Sequence, residues 1–555
     1  MDGLHEDEKC ILTIKDGPIC GYIERNEEGT YYKFKKIPYA KPPLGTLRFT
    51  PPSPVIPWTD LLDCTQDAPL PLSINEEKGN NGSEDCLYME VNSPNITPNK
   101  PMPVMFWIGS CNYSYYIDQL YDSTPIVNES VVFVRCGFRL GPMGFLSINE
   151  FSAPGNIGLK DIVMALKWTQ ANISVFGGDP NNVTIFGSST GGATVHYMMI
   201  SPMAVGLFHK AIMQSSSALN KFSLNKNPTQ AAIELAEKLG ITTANKFDMV
   251  DELKKVPAED IMEAYKELSD KSISNDNGKT FDLMFKPCVE KEFEGMPTFL
   301  SKTPSQILKS GNFYKVPIII GCNNIEASVI QYIKTNFYED FEKFNEDVSL
   351  LVPKSIALNE TLTKNIGEQL LNFYFNGNGV LNEHTRTQYL QLLSDFYFLY
   401  YLYNTVRLQY KYAPECPIYY YILNYAGEWD VPKALNFFNS IGHCGEVSFL
   451  FRIITPCKRF CSGSRDSITT RKRVVRLWTN FAKYGNPTPD ENDPLLQITW
   501  DPVENEEKLN YLSIGSELTK GRNPYYERMK FWDKLHEQHA LLRTILYFID
   551  KSVQI

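Results

Sequence analysis

The stretch Ile185-Phe186-Gly187-Ser188-Ser189-Thr190-Gly191-Gly192 decides how the middle of this chain folds. It matches the pattern G-x-S-x-G, in which a strand turns sharply into a helix and the turn presents a serine. Residues 183–186 are β-branched and apolar, as in a buried strand, and apolar residues continue after the glycines at helical spacing. Ser189 is therefore a candidate nucleophile, provided that a histidine reaches it. The alternative is a glycine-rich turn that carries incidental serines.

Apolar runs on both sides of this turn extend the same architecture. Two short runs, 11–15 and 21–24, flank a turn at Asp16-Gly17 and predict an N-terminal pair of strands. Apolar residues at helical spacing predict a helix over 158–171. Further strands are predicted at 102–108, 130–135, 211–214, 316–321 and 418–423. Strands that alternate with helices are typical of an α/β fold with a large, mainly parallel sheet.

The composition favours one large domain. The chain has 555 residues, of which 43% are hydrophobic and 13% aromatic, enough for a continuous core. It shows no Ser/Gly/Pro-rich linker, no low-complexity block and no repeat, so residues 1–555 are predicted to form a single domain. The net charge of −10 argues against a nucleic-acid partner. The basic cluster 471–473 is interpreted as a solvated helix face.

The ends of the chain and its cysteines indicate a cytoplasmic protein. Residues 1–9 are acidic and have no apolar core, so they predict no signal peptide. No segment approaches the roughly 20 apolar residues of a membrane-spanning helix, and no stable membrane anchor is expected. The tail 541–549 is interpreted as an amphipathic helix docked on the body. Twelve cysteines without a C-x-x-C pattern are predicted to be mostly reduced thiols.

Longer motifs resemble those of the type-B carboxylesterase/cholinesterase family. They include Ile37-Pro38-Tyr39-Ala40-Lys41-Pro42-Pro43, Glu84-Asp85-Cys86-Leu87-Tyr88, Phe176-Gly177-Gly178-Asp179-Pro180 and Gly485-Asn486-Pro487. The resemblance covers nearly the whole chain and is greatest to the intracellular α-esterases of insects. It implies an α/β-hydrolase fold and hydrolysis of carboxylic esters, with a small lipophilic ester as the substrate.

The resemblance also implies a catalytic triad in the order serine, acid, histidine. Glu326 stands at the acid position, after the predicted strand 316–321, although a glutamate at a strand end is more often merely solvated. His443 lies between glycines in Gly442-His443-Cys444-Gly445-Glu446, which resembles the family's histidine loop. Such a triad requires no metal and no organic cofactor. The other histidines are interpreted as structural. His196 and His209 are expected in the core or at a helix edge, and His536 and His539 are expected on a solvated helix face rather than in a metal site.

The chain departs from the family pattern at the expected oxyanion hole. Where the family has H-G-G-G, this chain has Gly109-Ser110-Cys111-Asn112-Tyr113. By correspondence, the backbone N–H donors are those of Cys111, Asn112 and Thr190. Glycine serves such loops because it allows positive φ and close approach of the substrate, so its loss predicts slower turnover.

Further departures lie beside the serine and at a cysteine. The family usually has Glu before the serine and Ala after it, whereas this chain has Ser188 and Thr190. Cys86 lacks its expected partner, since Pro71 occupies that position.

Two hypotheses follow: a serine ester hydrolase with reduced turnover, or a non-catalytic protein that binds or sequesters hydrophobic esters. The aromatic run 395–403 is predicted to be mostly core.

Overall fold

The computed structural model describes residues 8–74, 82–109, 112–116, 118–275, 284–333, 339–353, 356–376, 380–429, 440–454 and 463–553. Its strands are β1 Glu8–Ile14, β2 Gly17–Asn26, β3 Gly29–Pro38, β4 Leu62–Asp63, β5 Tyr88–Ser93, β6 Met102–Trp107, β7 Tyr121–Asp122, β8 Val132–Cys136, β9 Gly178–Ser188, β10 Lys210–Gln214, β11 Ile318–Asn323, β12 Ile418–Leu423, β13 Arg452–Ile453, β14 Asn510–Ile514 and β15 Leu518–Arg522.

Thirteen of these strands form one sheet, in the order β1-β2-β3-β5-β8-β6-β9-β10-β11-β12-β14-β15 with β4 beside β2. Neighbours from β8 to β14 all pair in parallel, and the strands on either side of this block are antiparallel. The carboxyl ends of parallel strands meet at one edge of a sheet, which is where α/β folds place their ligands. The mainly parallel α/β sheet predicted from the sequence is therefore confirmed.

The sheet separates two hydrophobic cores because successive residues of a strand point to opposite faces. In β12, Tyr420 and Ile422 pack into one core, and Tyr419 and Tyr421 pack into the other. Both faces of the central strands are thus covered, as is usual for parallel sheets. This explains why β12 consists entirely of apolar and aromatic residues.

Helices cover the two faces and connect the parallel strands. Their bounds are α1 Thr124–Val127, α2 Gly141–Phe145, α3 Ile157–Asn172, α4 Thr190–Ile200, α5 Pro228–Lys238, α6 Lys246–Lys255, α7 Ala258–Asn275, α8 Pro304–Ser310, α9 Ser328–Ile333, α10 Glu339–Glu346, α11 Glu360–Phe375, α12 Arg386–Ser394, α13 Tyr400–Tyr412, α14 Val447–Leu450, α15 Arg465–Tyr484 and α16 Tyr526–Val553. A π-helical turn, Asp395–Leu399, joins α12 to α13. None of the helices in the described ranges is long and apolar enough to cross a membrane.

Two details of the sequence interpretation need correction. The cluster 471–473 is not simply a solvated face, because the Arg471 guanidinium lies 3.7 Å from the centroid of the Trp429 ring and donates to the carbonyl of Ser448. His536 is half-buried and stacks on Tyr400, with ring centroids 4.6 Å apart. Both side chains therefore pack against aromatic rings and bury some of their polar atoms.

Candidate active site

Ser189 lies in the turn between β9 and α4 and has strained backbone angles, φ 58° and ψ −129°. This conformation is sparsely populated for a residue with a side chain, and the surrounding contacts must hold it. The N–H of Ser189 donates to the carbonyl of Gln214 at the end of β10. A Cβ on Gly187 would lie 2.7 Å from the backbone of Gly191, and one on Gly192 would lie 2.5 Å from the carbonyl oxygen of Gln214. Glycines 187 and 192 therefore let the strand and the helix approach closely enough to form the turn.

His443 and Glu326 meet Ser189 at the carboxyl edge of the sheet. The hydroxyl of Ser189 donates to Nε2 of His443 over 2.7 Å. Nδ1 of His443 lies 2.5 Å from Oε2 of Glu326, and it must be the donor if the carboxylate is ionised. Glu326 follows β11, and His443 lies in the loop region after β12. The three residues singled out from the sequence are thus brought into one hydrogen-bonded row.

The pKa values of the two titratable members are both shifted upward. Burial lowers the pKa of His443, but Cys444 and Glu326 raise it, and it lies well above its ordinary 6.5. Burial raises the pKa of Glu326, although His443 opposes this shift. The contact with Glu326 is one cause of the raised pKa of His443, because a carboxylate beside Nδ1 stabilises the imidazolium.

A second buried carboxylate, Glu446, lies beside Ser188, the residue before Ser189. Sequence reasoning missed its contacts because its partners are more than a hundred residues away in the chain. The hydroxyl of Ser188 donates to its Oε1 over 2.6 Å. The remaining donors come from the side chains of Gln214 and Ser215, to Oε1, and of Asn323, to Oε2. Glu446 therefore places a buried carboxylate against Ser188, the residue that precedes the candidate nucleophile.

Asn323 connects this second carboxylate to the first. Its backbone N–H donates to Oε1 of Glu326 over 2.6 Å, while its side-chain amide donates to Glu446. Glu446 in turn lies three residues after His443, in the same loop. The two carboxylates are thus held in fixed places relative to the histidine, and only Glu326 touches the imidazole.

The expected oxyanion donors come from two segments. Asn112 and its neighbour Tyr113 have φ values of 54° and 52°. This is the left-handed region that glycine usually occupies and that Asn tolerates better than most residues. Thr190 is the first residue of α4, at the positive end of the helix dipole. Cys111 lies outside the described residues.

Asp118 is an unexpected buried carboxyl beside this loop. A Cβ on Gly109 would lie 1.9 Å from its Oδ2, so glycine is required where β6 leads into the expected oxyanion segment. Neither carboxylate oxygen of Asp118 accepts a hydrogen bond of good geometry from the described residues, although Trp107 and Tyr116 lie close enough to lower its pKa slightly. Burial raises the pKa of Asp118 to about 6, although Arg135 lowers it. The sequence gives no signal of this contact, because an isolated aspartate in a loop usually faces solvent.

We expect Asp118→Asn to stabilise the protein near neutral pH and to lose this advantage in acid. Because the pKa in the folded state is raised, ionisation of Asp118 above about pH 6 costs stability, by about 3 kcal/mol at most. The folded protein does not bear this cost at low pH, where Asp118 is protonated, and it loses stability as the pH rises through 6. The melting temperatures of both proteins near pH 7.5 and pH 4.5 would measure the difference, expected to be a few degrees at the higher pH. A lower melting temperature for the variant at both pH values would contradict this account.

His196 and His209 do not reach the site. His196 is fully buried in α4, where Nδ1 accepts from the N–H of Ala218 and Nε2 lies 3.0 Å from the Gln409 amide. Nδ1 of His209 accepts from the N–H of Val183. The structural interpretation of these two residues is therefore confirmed.

Comparison with known proteins gives a consistent assignment. The sequence model of the carboxylesterase family matches residues 8–532. Juvenile hormone esterase of Tribolium castaneum is 32% identical to this chain, over 94% of the chain and 93% of its own length. Para-nitrobenzyl esterase of Bacillus subtilis is 30% identical, over 93% of the chain and 97% of its own length.

A solved structure agrees with these relatives. The crystal structure of juvenile hormone esterase from Manduca sexta, with OTFP covalently attached, matches with a TM-score of 0.80 and 28% identity. The match covers 96% of this chain and all of that one. The chain therefore belongs to the carboxylesterase family, has the α/β-hydrolase fold and is a carboxylic-ester hydrolase.

Proposed function

We propose that the protein hydrolyses lipophilic carboxylic esters, with Ser189 as nucleophile, His443 as general base and Glu326 as the acid that orients the histidine. The observation that carries this proposal is the row of two hydrogen bonds, 2.7 Å from Ser189 Oγ to His443 Nε2 and 2.5 Å from His443 Nδ1 to Glu326 Oε2. A nucleophile joined to a base that is itself oriented by a third group is the general arrangement for acyl transfer.

The proposed reaction has two halves. His443 Nε2 takes the proton of the Ser189 hydroxyl as Oγ attacks the ester carbonyl, and the resulting imidazolium is stabilised by Glu326. When the tetrahedral intermediate collapses, the carbon–oxygen bond to the alcohol breaks and Nε2 returns the proton to the leaving alcohol. Water, deprotonated by His443, then attacks the acyl-enzyme and releases the carboxylic acid and free Ser189.

We propose that the oxyanion is held by the backbone N–H groups of Cys111, Asn112 and Thr190. The left-handed φ of Asn112 supports this assignment, since a non-glycine residue there still adopts the turn that a glycine loop requires. A donor displaced from its best position costs part of the roughly 2.7–4 kcal/mol that one donor contributes. Turnover slower than that of relatives with a glycine loop is the expected consequence.

A buried, aromatic setting supports a lipophilic substrate. Ser189 is only 4% exposed, and the ring of Phe398 packs on the imidazole of His443. Two of the similar proteins are named juvenile hormone esterases. A panel of p-nitrophenyl esters with short and long acyl chains, together with juvenile hormone itself, would test the class.

The same panel separates the enzyme from a protein that binds esters. Linear release of many products per protein molecule is expected, with the best kcat/KM on an apolar ester. Release of a single equivalent of p-nitrophenol, with the acyl group or the intact ester retained, would favour the binding hypothesis that the altered Ser110-Cys111-Asn112 stretch suggests.

The pH dependence of hydrolysis should report His443. The imidazole must be neutral to accept the serine proton, so kcat/KM rises as the pH rises through the pKa of His443. Because that pKa is raised, the midpoint of the acid limb is expected above 6.5. Measuring kcat/KM for p-nitrophenyl butyrate between about pH 5 and about pH 9 would determine it. A midpoint below 6.5 would contradict the electrostatic role assigned to Glu326.

We also propose that the protein works in the cytoplasm. Nine cysteines in the described ranges are free thiols, and seven of them are buried. Burial raises the pKa of the Cys64 and Cys288 thiols to about 12, which keeps them protonated and unreactive. This number of free thiols favours a reducing compartment. Immunoblots of cytosolic and secreted fractions would test the location.

A further inference from the structure

The imidazole of His443 is supported by an aromatic residue that plays no part in the proton transfers. The ring centroids of Phe398 and His443 lie 4.8 Å apart with their planes at 49°. Phe222 packs on Phe398 with a centroid distance of 5.5 Å. The covalent link to Cβ and the two hydrogen bonds fix the imidazole only as far as χ1, χ2 and the hydrogen-bond lengths allow. A packed side chain restricts the remaining tilting of the ring.

This support matters most in the second half of the reaction. Once Ser189 carries the acyl group, its Oγ has no proton to donate, and the hydrogen bond to Nε2 is lost. The imidazole is then held only by Glu326 and by its packing contacts, yet it must still direct a water molecule at the acyl carbon. A contact that restricts the ring therefore contributes more to deacylation than to acylation.

Phe398 owes its direction to the π-helical turn Asp395–Leu399. This turn interrupts an otherwise continuous helical segment from α12 to α13. A π turn contains an extra residue, so the side chains after it point in directions that an unbroken α-helix would not give them, and such turns are frequent at functional sites. The carbonyl of Tyr397 accepts from the side-chain amide of Asn220 over 2.7 Å, a partner outside the helix.

A buried ion pair from α16 holds the first residue of the turn. Asp395 is fully buried and accepts from Nε of Arg528 over 2.6 Å and also from its Nη2. The hydroxyl of Tyr374 donates to the same carboxylate over 2.5 Å, and Nε1 of Trp532 donates to that hydroxyl over 2.8 Å. These hydrogen bonds thus connect α16, the last described helix, to the turn that carries Phe398.

We propose that Phe398 is a positioning residue for His443, and that the Asp395–Arg528 ion pair holds the π-helical turn that presents it. The inference rests on the proposed Ser189–His443–Glu326 mechanism. Its consequence is that deacylation, more than acylation, depends on a contact between the histidine and a helix that contains no triad residue.

Phe398→Leu tests the contact, with Phe396→Leu as the matched control. Both phenylalanines are 2% exposed and lie in the same turn, and Phe396 packs on Tyr397 and Trp532 instead of the histidine. With p-nitrophenyl butyrate and rapid mixing, Phe398→Leu is expected to slow deacylation by up to about a hundredfold and acylation by less. A burst of p-nitrophenol and a lowered KM would then appear. Phe396→Leu is expected to keep the wild-type ratio of the two rates.

Other outcomes would overturn the proposal. An equal change of the rate ratio in both variants would assign the effect to general loosening of the core. A Phe398→Leu enzyme with altered acyl-chain preference and an unchanged ratio would make Phe398 a pocket wall instead. For the ion pair, Arg528→Gln is expected to shift the ratio of deacylation to acylation rate in the same direction as Phe398→Leu. In the double variant the two effects are expected to be less than additive. Fully additive effects would show that Arg528 does not act through Phe398.

A measurement without substrate keeps this test separate from that of the proposed function. The Nδ1 proton of His443, bonded to Glu326, should give a far-downfield proton resonance. Phe398→Leu is expected to broaden this resonance by faster exchange, whereas Phe396→Leu should leave it sharp. A sharp resonance in both variants would contradict the proposal, whether or not the wild-type protein hydrolyses any ester. Absence of hydrolysis by the wild-type protein would contradict the proposed function instead.

Discussion

Ser189→Ala is expected to lower kcat for ester hydrolysis by about a millionfold. Without Oγ there is no acyl-enzyme, and His443 has no hydroxyl to activate. What remains is the roughly 10³–10⁴-fold acceleration over water that the oxyanion donors and substrate binding give. Steady-state hydrolysis of p-nitrophenyl butyrate by the purified variant would measure the loss.

The neighbouring serine provides the control. Ser188 is buried next to Ser189, and its hydroxyl donates to Glu446 rather than to His443. Ser188→Ala is expected to lower kcat far less, because it removes one of several donors to a carboxylate that does not touch the imidazole. If both variants lost activity equally, or if Ser189→Ala kept a substantial part of the wild-type rate, the nucleophile would lie elsewhere.

Glu326→Gln is expected to lower kcat by about ten thousandfold, less than the loss of the nucleophile. The amide fits the space of the carboxylate, but it cannot stabilise the imidazolium, and it can hold the ring with the proton on the wrong nitrogen. The acid limb of the pH profile should also move to lower pH, because the negative charge that raises the pKa of His443 is gone. Both kcat and the acid-limb midpoint are measured in the same pH series.

Glu446→Gln is the matched control for this prediction. Both glutamates are fully buried and lie in the same polar cluster, but among the described residues Glu446 bonds to Ser188, Gln214, Ser215 and Asn323 and not to His443. The variant is expected to lose much less activity and to shift the acid limb less. A larger shift for Glu446→Gln than for Glu326→Gln would exchange the roles of the two carboxylates.

Much of the central fold follows from local sequence patterns. The apolar runs that predicted strands correspond to β6, β8, β9, β10, β11 and β12, and the predicted helix 158–171 corresponds to α3, Ile157–Asn172. Strands buried on both faces are continuous apolar runs, which are easy to recognise. The strand β3, Gly29–Pro38, did not stand out, because lysines interrupt its apolar residues and the buried ones, Tyr31, Phe34 and Ile37, lie three apart instead of two.

The site was predictable as far as chain order and motifs allow. The expectation that Ser189, Glu326 and His443 meet came from their match to the family's motifs in the order serine, acid, histidine. They follow β9, β11 and β12, whose carboxyl ends lie at one edge of the sheet. The contacts of Glu446 and Asp118 were not predictable, because each depends on residues brought together by the fold and not by spacing. Likewise, the run 395–403 has the composition of an ordinary buried helix, and the π-helical turn within it is held by Arg528, more than a hundred residues away.

Reaction with a fluorophosphonate ester tests the central claim most directly. The reagent phosphonylates a serine that a neighbouring base activates, and peptide mass spectrometry identifies the residue. The account predicts one adduct per chain, on the peptide that contains Ser189, with loss of ester hydrolysis in proportion to labelling. Complete inhibition with the adduct on another residue, or sustained hydrolysis by a protein fully labelled at Ser189, would contradict it.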